Sequence, residues 1–174
     1  MKHAATFFIL VGVLLLGCPG RFVLAASEKE NFAVVDIGKV FDEYEKTKKY
    51  DEQFQVEGKK KQDERDVIVH DLRRLRDEQA LLDKDARTQK QGAIDAKLKE
   101  LEKFDEEARK GLGDKRNAAV KEIFQDIENT IDQYGTRKGY DLVFNDRALL
   151  YHNKKFEVTG DVLSELNKNY QKKK

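Results

Sequence analysis

A long span of this chain contains no proline and can therefore form long continuous helices. Pro19 is the only proline, so no proline interrupts a helix from Asp36 onward. Two sets of mostly apolar residues in this span repeat at alternating spacings of 4 and 3, which is the pattern of a coiled-coil seam. The first set is Ile68, Leu72, Leu75, Gln79 and Leu82; the second is Ile94, Leu98, Leu101, Asp105, Ala108 and Leu112.

The polar segment between the two seams, residues 83–88, predicts a reversal of the chain near Ala86 and Arg87. In an antiparallel hairpin, the position numbers of facing residues add to a constant. Here the constant is 173, as in the pairs Leu72 with Leu101, Gln79 with Ile94, and Arg65 with Ala108. One fold-back therefore explains both seams. The alternative is an unbroken rod that pairs with another chain through the same heptads.

The predicted hairpin spans residues 37–138. Asp36 is a suitable N-cap for its first helix. At the other end, Arg137 and Lys138 suit the negative helix terminus, and Gly139 suits the C-cap. A first helix over residues 37–84 would be about 70 Å long at about 1.5 Å per residue. This is far longer than a compact domain requires.

The two ends of the mature chain, residues 27–36 and 139–174, predict a small β-rich body. Phe32–Val35 is a β-prone run, and 142–144 and 148–151 read as two strands of a hairpin turning at 145–147. Thr159 can cap a final helix that carries Val162, Leu163, Leu166 and Tyr170 on one side. Such a sheet is too small to be stable alone, which predicts a homo-oligomer. The predicted core of the oligomer body is Phe32, Val34, Leu142, Phe144, Leu149 and Tyr151.

These observations predict an α+β, mainly α, fold: a long antiparallel helical hairpin, or coiled-coil arm, that projects from a small β-rich oligomerisation body. Three glycines weaken the arm at one height, since the expected register places Gly58 within about one helical turn of Gly111 and Gly113. They are a candidate hinge. The other interpretation is that these glycines allow the two helices to approach closely.

The first 26 residues have the features of an export signal. Lys2 and His3 precede an apolar run over residues 4–16, and no acidic residue occurs before Glu28. Ordinary cleavage after residue 25 or 26 is one interpretation. The other is a lipoprotein signal that ends before Cys18, which would then be lipidated and anchor the protein to a membrane. In either case no cysteine pair remains to form a disulfide.

Charge and side-chain chemistry exclude several function classes. The 34 basic and 33 acidic residues give no large single-sign field, which disfavours a nucleic-acid partner. His70 and His152 lie in different elements and lack metal-ligand spacing, and no phosphate-binding loop or catalytic constellation is present. We therefore predict a non-enzyme without a cofactor. The basic arm residues Lys59, Lys60, Arg73, Arg74 and Arg76 are either a solvated face or a site for anionic lipid.

Several segments in sequence order resemble the Skp/OmpH family. They are Val34–Asp36, the charged hairpin, Gly139–Phe144, Leu149–Tyr151, Glu157–Thr159 and the apolar pairs of the last helix, 162–163 and 166–167. The match covers essentially the whole mature chain. The chain departs from the family pattern at Glu157, where Asp is usual, and in its near-neutral charge, which argues against tight electrostatic capture of acidic clients or lipopolysaccharide.

The resemblance implies a jellyfish-shaped homotrimer whose three arms enclose a cavity. Family members bind unfolded outer-membrane β-barrel proteins in the periplasm without ATP and pass them to the outer-membrane assembly machinery. The alternative function is an envelope scaffold that uses the hairpin as a strut, anchored through Cys18. A strut should have a continuously apolar seam, whereas Lys61, Arg65, Asp105 and Lys115 interrupt this one.

Overall fold

The computed structural model describes residues 30–172, and the helices dominate it. The predicted signal peptide and Cys18 lie outside the described residues. In chain order the elements are strand β1 (Phe32–Val35), helices α1 (Ile37–Glu43), α2 (Glu45–Ala80) and α3 (Lys84–Lys138), strand β2 (Leu142–Asn145) and helix α4 (Thr159–Lys172), with short 3₁₀ turns at Asp146–Ala148 and Lys154–Phe156. We call α2 and the part of α3 that pairs with it the arm, and the remaining elements the body.

The first predicted helix is broken at Tyr44. Asp36 caps α1 as expected, because its side chain accepts a hydrogen bond from the Lys39 backbone N–H at 2.9 Å. Tyr44 then leaves the helical region with φ −64° and ψ 128°, and α2 starts afresh at Glu45. Neither proline nor glycine marks this break in the sequence. Tyr44 is fully buried in the body core, so tertiary packing accounts for it.

The hairpin turn lies a few residues earlier than the predicted reversal at 83–88. Helix α2 ends at Ala80, and Asp83 caps α3 by accepting from the Ala86 N–H at 3.0 Å. The Arg87 guanidinium closes the turn by donating to the carbonyl oxygens of Leu82 and Ala80, at 2.8 and 3.0 Å. Polar caps thus fix the position of the reversal. The heptad pattern contains no information about these caps, so it does not predict the position correctly.

Side-chain contacts in the outer part of the arm depart from the predicted pairing, whereas Lys115 meets Glu57, one position from the partner that the constant of 173 predicts. Arg65 binds Asp105 and not the region of Ala108, and Gln79 binds Gln91 where the prediction pairs it with Ile94. Both differences are three positions, close to one helical turn. The expected constant of 173 is therefore wrong at these pairs, although the antiparallel arrangement is right. Helix α3 ends at Lys138, where Gly139 adopts φ 69° in the left-handed region.

The sheet differs from the predicted hairpin. Strand β2 pairs with β1 in parallel, with Phe32 opposite Leu142 and Val34 opposite Phe144. Residues 148–151 are not a strand, because the 3₁₀ turn at Asp146–Ala148, capped by the Asn145 side chain, directs the chain away from β2. Val34 instead makes an isolated parallel bridge to Glu157. The sheet of the described chain therefore has two strands.

The body core lies between the sheet and the helices. Its buried apolar side chains come from β1, α1, the end of α3, α4 and the residues next to these helices: Ala33, Val35, Val40, Tyr44, Ile123, Ile127, Tyr134, Val158, Val162 and Leu166. Thr159 does not act as the expected cap. It is the first residue of α4, and its hydroxyl accepts from the Asp36 N–H at 2.9 Å, which joins α4 to the start of α1.

Candidate interaction surfaces

The seam of the arm combines a few buried apolar residues with specific polar contacts. Leu72 and Ile94 are its buried apolar residues in the outer half, while most other seam positions stay half-exposed. In the middle of the arm, Arg65 and Asp105 form a two-point ion pair, with N–O distances of 2.8 and 3.2 Å. The hydrogen bonds that Arg65 donates to the Asp105 carboxylate raise the pKa of Arg65 above its ordinary value. The arm is therefore held by specific polar contacts as much as by apolar packing.

The other polar residues that interrupt the heptads also have partners. Lys61 lies 5.3 Å from the centre of the Phe104 ring, and Lys115 pairs with Glu57 across the arm. Near the tip, Lys90 binds Glu78, and this contact lowers the pKa of the Glu78 carboxyl. These contacts are exposed, so they specify the register more than they stabilise the arm.

Apolar side chains are scattered over the arm surface. Val56 and Val67 are 72% and 64% exposed on α2, and Leu81 at the tip is 88% exposed. On α3, Leu98 and Leu101 line an open groove of about 720 Å³ whose other walls are charged: Glu102, Asp105, Glu106, Arg109 and Lys110. This surface offers small apolar contacts separated by charges of both signs.

The predicted basic arm residues form two groups and not one site. Lys59 and Lys60 lie about 20 Å along α2 from Arg73, Arg74 and Arg76, at about 1.5 Å per residue. Lys59 is 3.8 Å from Asp63, and Arg74 is 3.5 and 3.2 Å from Asp71 and Glu78. These ion pairs are compatible with the solvated-face interpretation.

The three candidate hinge glycines face open space. A Cβ atom built on Gly58, Gly111 or Gly113 would meet no neighbouring atom within 4 Å. Close approach of the helices therefore does not require glycine at these positions. Both arm helices nevertheless continue through this level without a break.

The body exposes apolar residues around its two-stranded sheet. Leu142 is 54% and Tyr151 83% exposed, and Leu150 is also fully exposed. Phe144 packs edge-on against Phe32, at 6.0 Å between ring centres. Of the six residues of the predicted oligomer core, only Val34 is buried within the single chain.

The base of the arm carries a polar cluster that periodicity does not reveal. Lys46 lies 2.6 Å from both Glu122 and Asp126 of α3. Burial opposes the charge on Lys46, but the two carboxylates outweigh it and raise the pKa of the amine. The Tyr44 hydroxyl binds Asp126 at 3.1 Å, and burial followed by the charge of this carboxylate raises the pKa of Tyr44. The sequence hints at this polar cluster only by placing an aromatic residue next to lysines in a helical segment.

The described residues contain no group of three metal-ligating side chains placed to bind an ion. His70 is exposed on α2, and His152 lies 2.8 Å from Asp146 in the loop after β2. Over residues 30–172, no helix is both long and apolar enough to span a membrane.

The fold defines a class: a long helical hairpin on a small α/β body. A family model described as "Outer membrane protein (OmpH-like)" matches residues 31–166. The chain therefore belongs to the OmpH-like family, and the resemblance deduced from the sequence segments is confirmed. The mainly α architecture with its arm and small sheet is confirmed as well.

A solved structure supports the same fold. It is that of a proposed outer membrane chaperone (OmpH-like) from Caulobacter crescentus CB15, which is similar to this chain with a TM-score of 0.72 and 14% sequence identity. The similarity covers 80% of this chain and 85% of the Caulobacter chain. No curated protein gives a significant sequence match.

Proposed function

We propose that this protein is an ATP-independent periplasmic holdase chaperone that encloses unfolded outer-membrane β-barrel proteins and prevents their aggregation. The observation that carries the proposal is the arm surface, on which exposed apolar residues such as Val56, Val67 and Leu98 alternate with charges of both signs. Family membership and the name given to the Caulobacter protein support a chaperone role.

The arm chemistry suits an unfolded polypeptide better than a small molecule. Its groove beside Leu98 and Leu101 is open to solvent, so it does not enclose a small ligand. An unfolded chain instead makes many weak contacts along an extended surface, and each contact can be exchanged without ATP. The client is retained because contacts are numerous, and it is released when folding into a membrane becomes more favourable.

Enclosure requires several arms, and we propose a homotrimer that supplies three. The exposed apolar residues of the body, including Leu142, Phe144 and Tyr151, favour burial against other copies of the chain. Together with Phe32, Val34 and Leu149, they remain the proposed trimer core. Arms fixed to one common body would then surround a single cavity.

Location and further partners follow from the same proposal. Signal cleavage would release a soluble periplasmic protein, whereas lipidation of Cys18 would anchor it to a membrane. Mass spectrometry of the mature N-terminus separates the two: a start at Ala26 or Ser27 means soluble, and a modified Cys18 means anchored. Hand-over to the outer-membrane assembly machinery belongs to the proposal. A site for anionic lipid or lipopolysaccharide at Lys59, Lys60, Arg73, Arg74 and Arg76 is the alternative to a solvated face.

The decisive test is an aggregation assay. An outer-membrane β-barrel protein is diluted from urea with a slight molar excess of the purified mature protein, and light scattering is followed. We expect suppression of scattering without ATP. A variant with Val56→Ser, Val67→Ser and Leu98→Ser should protect less, whereas a control with Gln62→Ser and Asn117→Ser, also exposed on the arm, should protect fully.

Failure of the parent protein to suppress scattering would contradict the holdase function and favour the scaffold. Equal protection by both variants would show that the apolar arm residues do not bind the client.

A further inference from the structure

The break at Tyr44 has a mechanical effect on the base of the arm. Helix α3 runs without interruption from the tip to the body, but α2 begins only at Glu45, after extended backbone at Tyr44. At this level one helix instead of two resists bending. What holds the first turn of α2 therefore decides how freely the arm can tilt.

The N-terminal half of α4 is firmly attached to the body. Val162 and Leu166 are buried in the core, and the Val158 N–H donates to the Val34 carbonyl at 2.9 Å. On the other side, the Tyr134 hydroxyl binds Asp161 at 2.7 Å. Burial and this carboxylate raise the pKa of Tyr134. This half of α4 therefore cannot move independently of the body.

The C-terminal turns of α4 reach from this fixed point to the first turn of α2. The Asn167 side-chain oxygen accepts a hydrogen bond from the Glu45 backbone N–H at 3.0 Å, and Gln171 donates to the Glu45 carboxylate at 2.9 Å. The Tyr170 ring meets the Tyr44 ring edge-on, at 5.8 Å between centres. Tyr44 itself makes no side-chain cap, so Asn167 caps α2 from another helix.

The polar cluster around Lys46 has a different structural role from the contacts made by α4. It joins α2 to Glu122 and Asp126 of α3, and Tyr50 adds a bond to Glu122 at 2.6 Å. These contacts connect the two arm helices to each other and not to α4. The arm base therefore moves as one unit, and two links tie its α2 side to the body: the buried Tyr44, which joins α2 to α1, and the contacts from α4.

We propose that the C-terminal turns of α4 are a brace that sets the tilt of the arm, with Asn167 and Tyr170 as positioning residues. Releasing the brace leaves α3 as the continuous connection, so the arm swings more widely about its base. For client binding, which rests on the proposed function, the brace determines how far the arms open and therefore which client sizes are enclosed.

The tilt can be measured by electron spin resonance in the full-length protein, with Cys18→Ser and spin labels at Val67→Cys and Ser164→Cys, diluted with unlabelled copies. Residue 67 lies about 33 Å along α2 from its first residue, so a swing of about 5° moves the label by about 3 Å. We expect Asn167→Ala to broaden the distance distribution and Asn167→Asp, whose carboxylate can still cap Glu45, to keep it narrow.

Two further variants complete the test. Gln171→Ala, an exposed change that leaves the core intact, should broaden the distribution to a smaller extent, and Asn117→Ala on the outer surface of α3 should have no effect. A distribution as narrow in Asn167→Ala and Gln171→Ala as in the parent would overturn the brace. Equal broadening by Asn167→Asp would also overturn it, since loss of the amide and not of the cap would then be responsible.

A client assay with the same variants separates the brace from the holdase function. If the parent protects a small and a large β-barrel client, Asn167→Ala should change the ratio of the two protections and Asn167→Asp should not. A parent that protects neither client refutes the chaperone proposal while the spin-label result still decides the brace.

Discussion

At the scale of single residues, the stability of the body depends on the protonation of two buried tyrosine hydroxyl groups. Tyr44 and Tyr134 each donate a hydroxyl hydrogen to a carboxylate, Asp126 and Asp161 respectively. Burial and the negative partner favour the neutral phenol, so the pKa of each is raised above the usual value near 10. The folded chain therefore retains protons that the unfolded chain loses in alkaline solution.

This predicts a loss of stability at high pH. The stabilisation is fully present below pH of about 10 and declines as the pH rises toward the raised folded pKa, by up to about 1.4 kcal/mol per pH unit for each such group. Tyr44→Phe should make the decline shallower, whereas exposed Tyr151→Phe should leave it unchanged. Urea unfolding between pH of about 9 and 11 measures the slope. An identical slope in Tyr44→Phe would rule out its contribution.

At the scale of elements, the arm is specified by polar pairs at definite heights. Arg65 and Asp105 are only partly buried, so the pair selects one register among the alternatives that a weak apolar seam permits. The turn at Asp83 and Arg87 selects the same register from the other end. Because the ion pair and the turn select the same register, a shift of one arm helix by one turn along the other is unfavourable.

A charge exchange tests that register. Arg65→Asp should lower the urea midpoint of the arm by placing two negative charges together, and the further change Asp105→Arg should restore most of the loss. Ala108→Arg combined with Arg65→Asp should restore less, because position 108 is not the partner. Better rescue from position 108 than from 105 would support the register with the constant 173.

The three glycines that lie at one height of the arm give a second prediction at this scale. Because added Cβ atoms at Gly58, Gly111 and Gly113 meet open space, alanine should stabilise the helices by up to about 0.8–1 kcal/mol per site. Alanine at Gly139, which has φ 69°, should instead cost about 1–2 kcal/mol. Chemical unfolding compares the two.

The same variants test whether the glycines are a hinge. With spin labels near Ala86, the triple alanine variant should narrow the spread of tip-to-tip distances within the assembly. An unchanged spread would place the flexibility elsewhere, and the base of the arm at Tyr44 would then be the remaining candidate among the features described above.

At the scale of the whole molecule, the proposed trimer buries what the single chain leaves exposed. Phe144→Ala removes a large apolar side chain from that interface, a change that costs about 3–5 kcal/mol in a well-packed core. Since three copies lose it together, the protein should shift toward monomer at micromolar concentration in analytical ultracentrifugation. Val67→Ala, on the arm, should leave the assembly intact. An unchanged assembly in Phe144→Ala would contradict its place in the interface.

The features that depend on local chemistry could be predicted from the sequence. The proline-free heptads specify two paired helices, Asp36 specifies the start of α1, and Gly139 after two basic residues specifies the end of α3. Each signal lies within a few residues of its effect, so no distant contact is needed to read it. The order of the segments was also sufficient for the family.

The remaining features depend on contacts between segments that are distant in the sequence. Tyr44 breaks the first helix because its side chain is buried against distant elements, and β1 pairs with β2 in parallel across the helical hairpin that lies between them in the chain. Arg65 finds Asp105 because the caps at Asp83 and Arg87 place the turn. The cap of α2 comes from Asn167, which lies 122 positions after Glu45 in the chain. Such contacts depend on where remote segments meet, and periodicity carries no information about that.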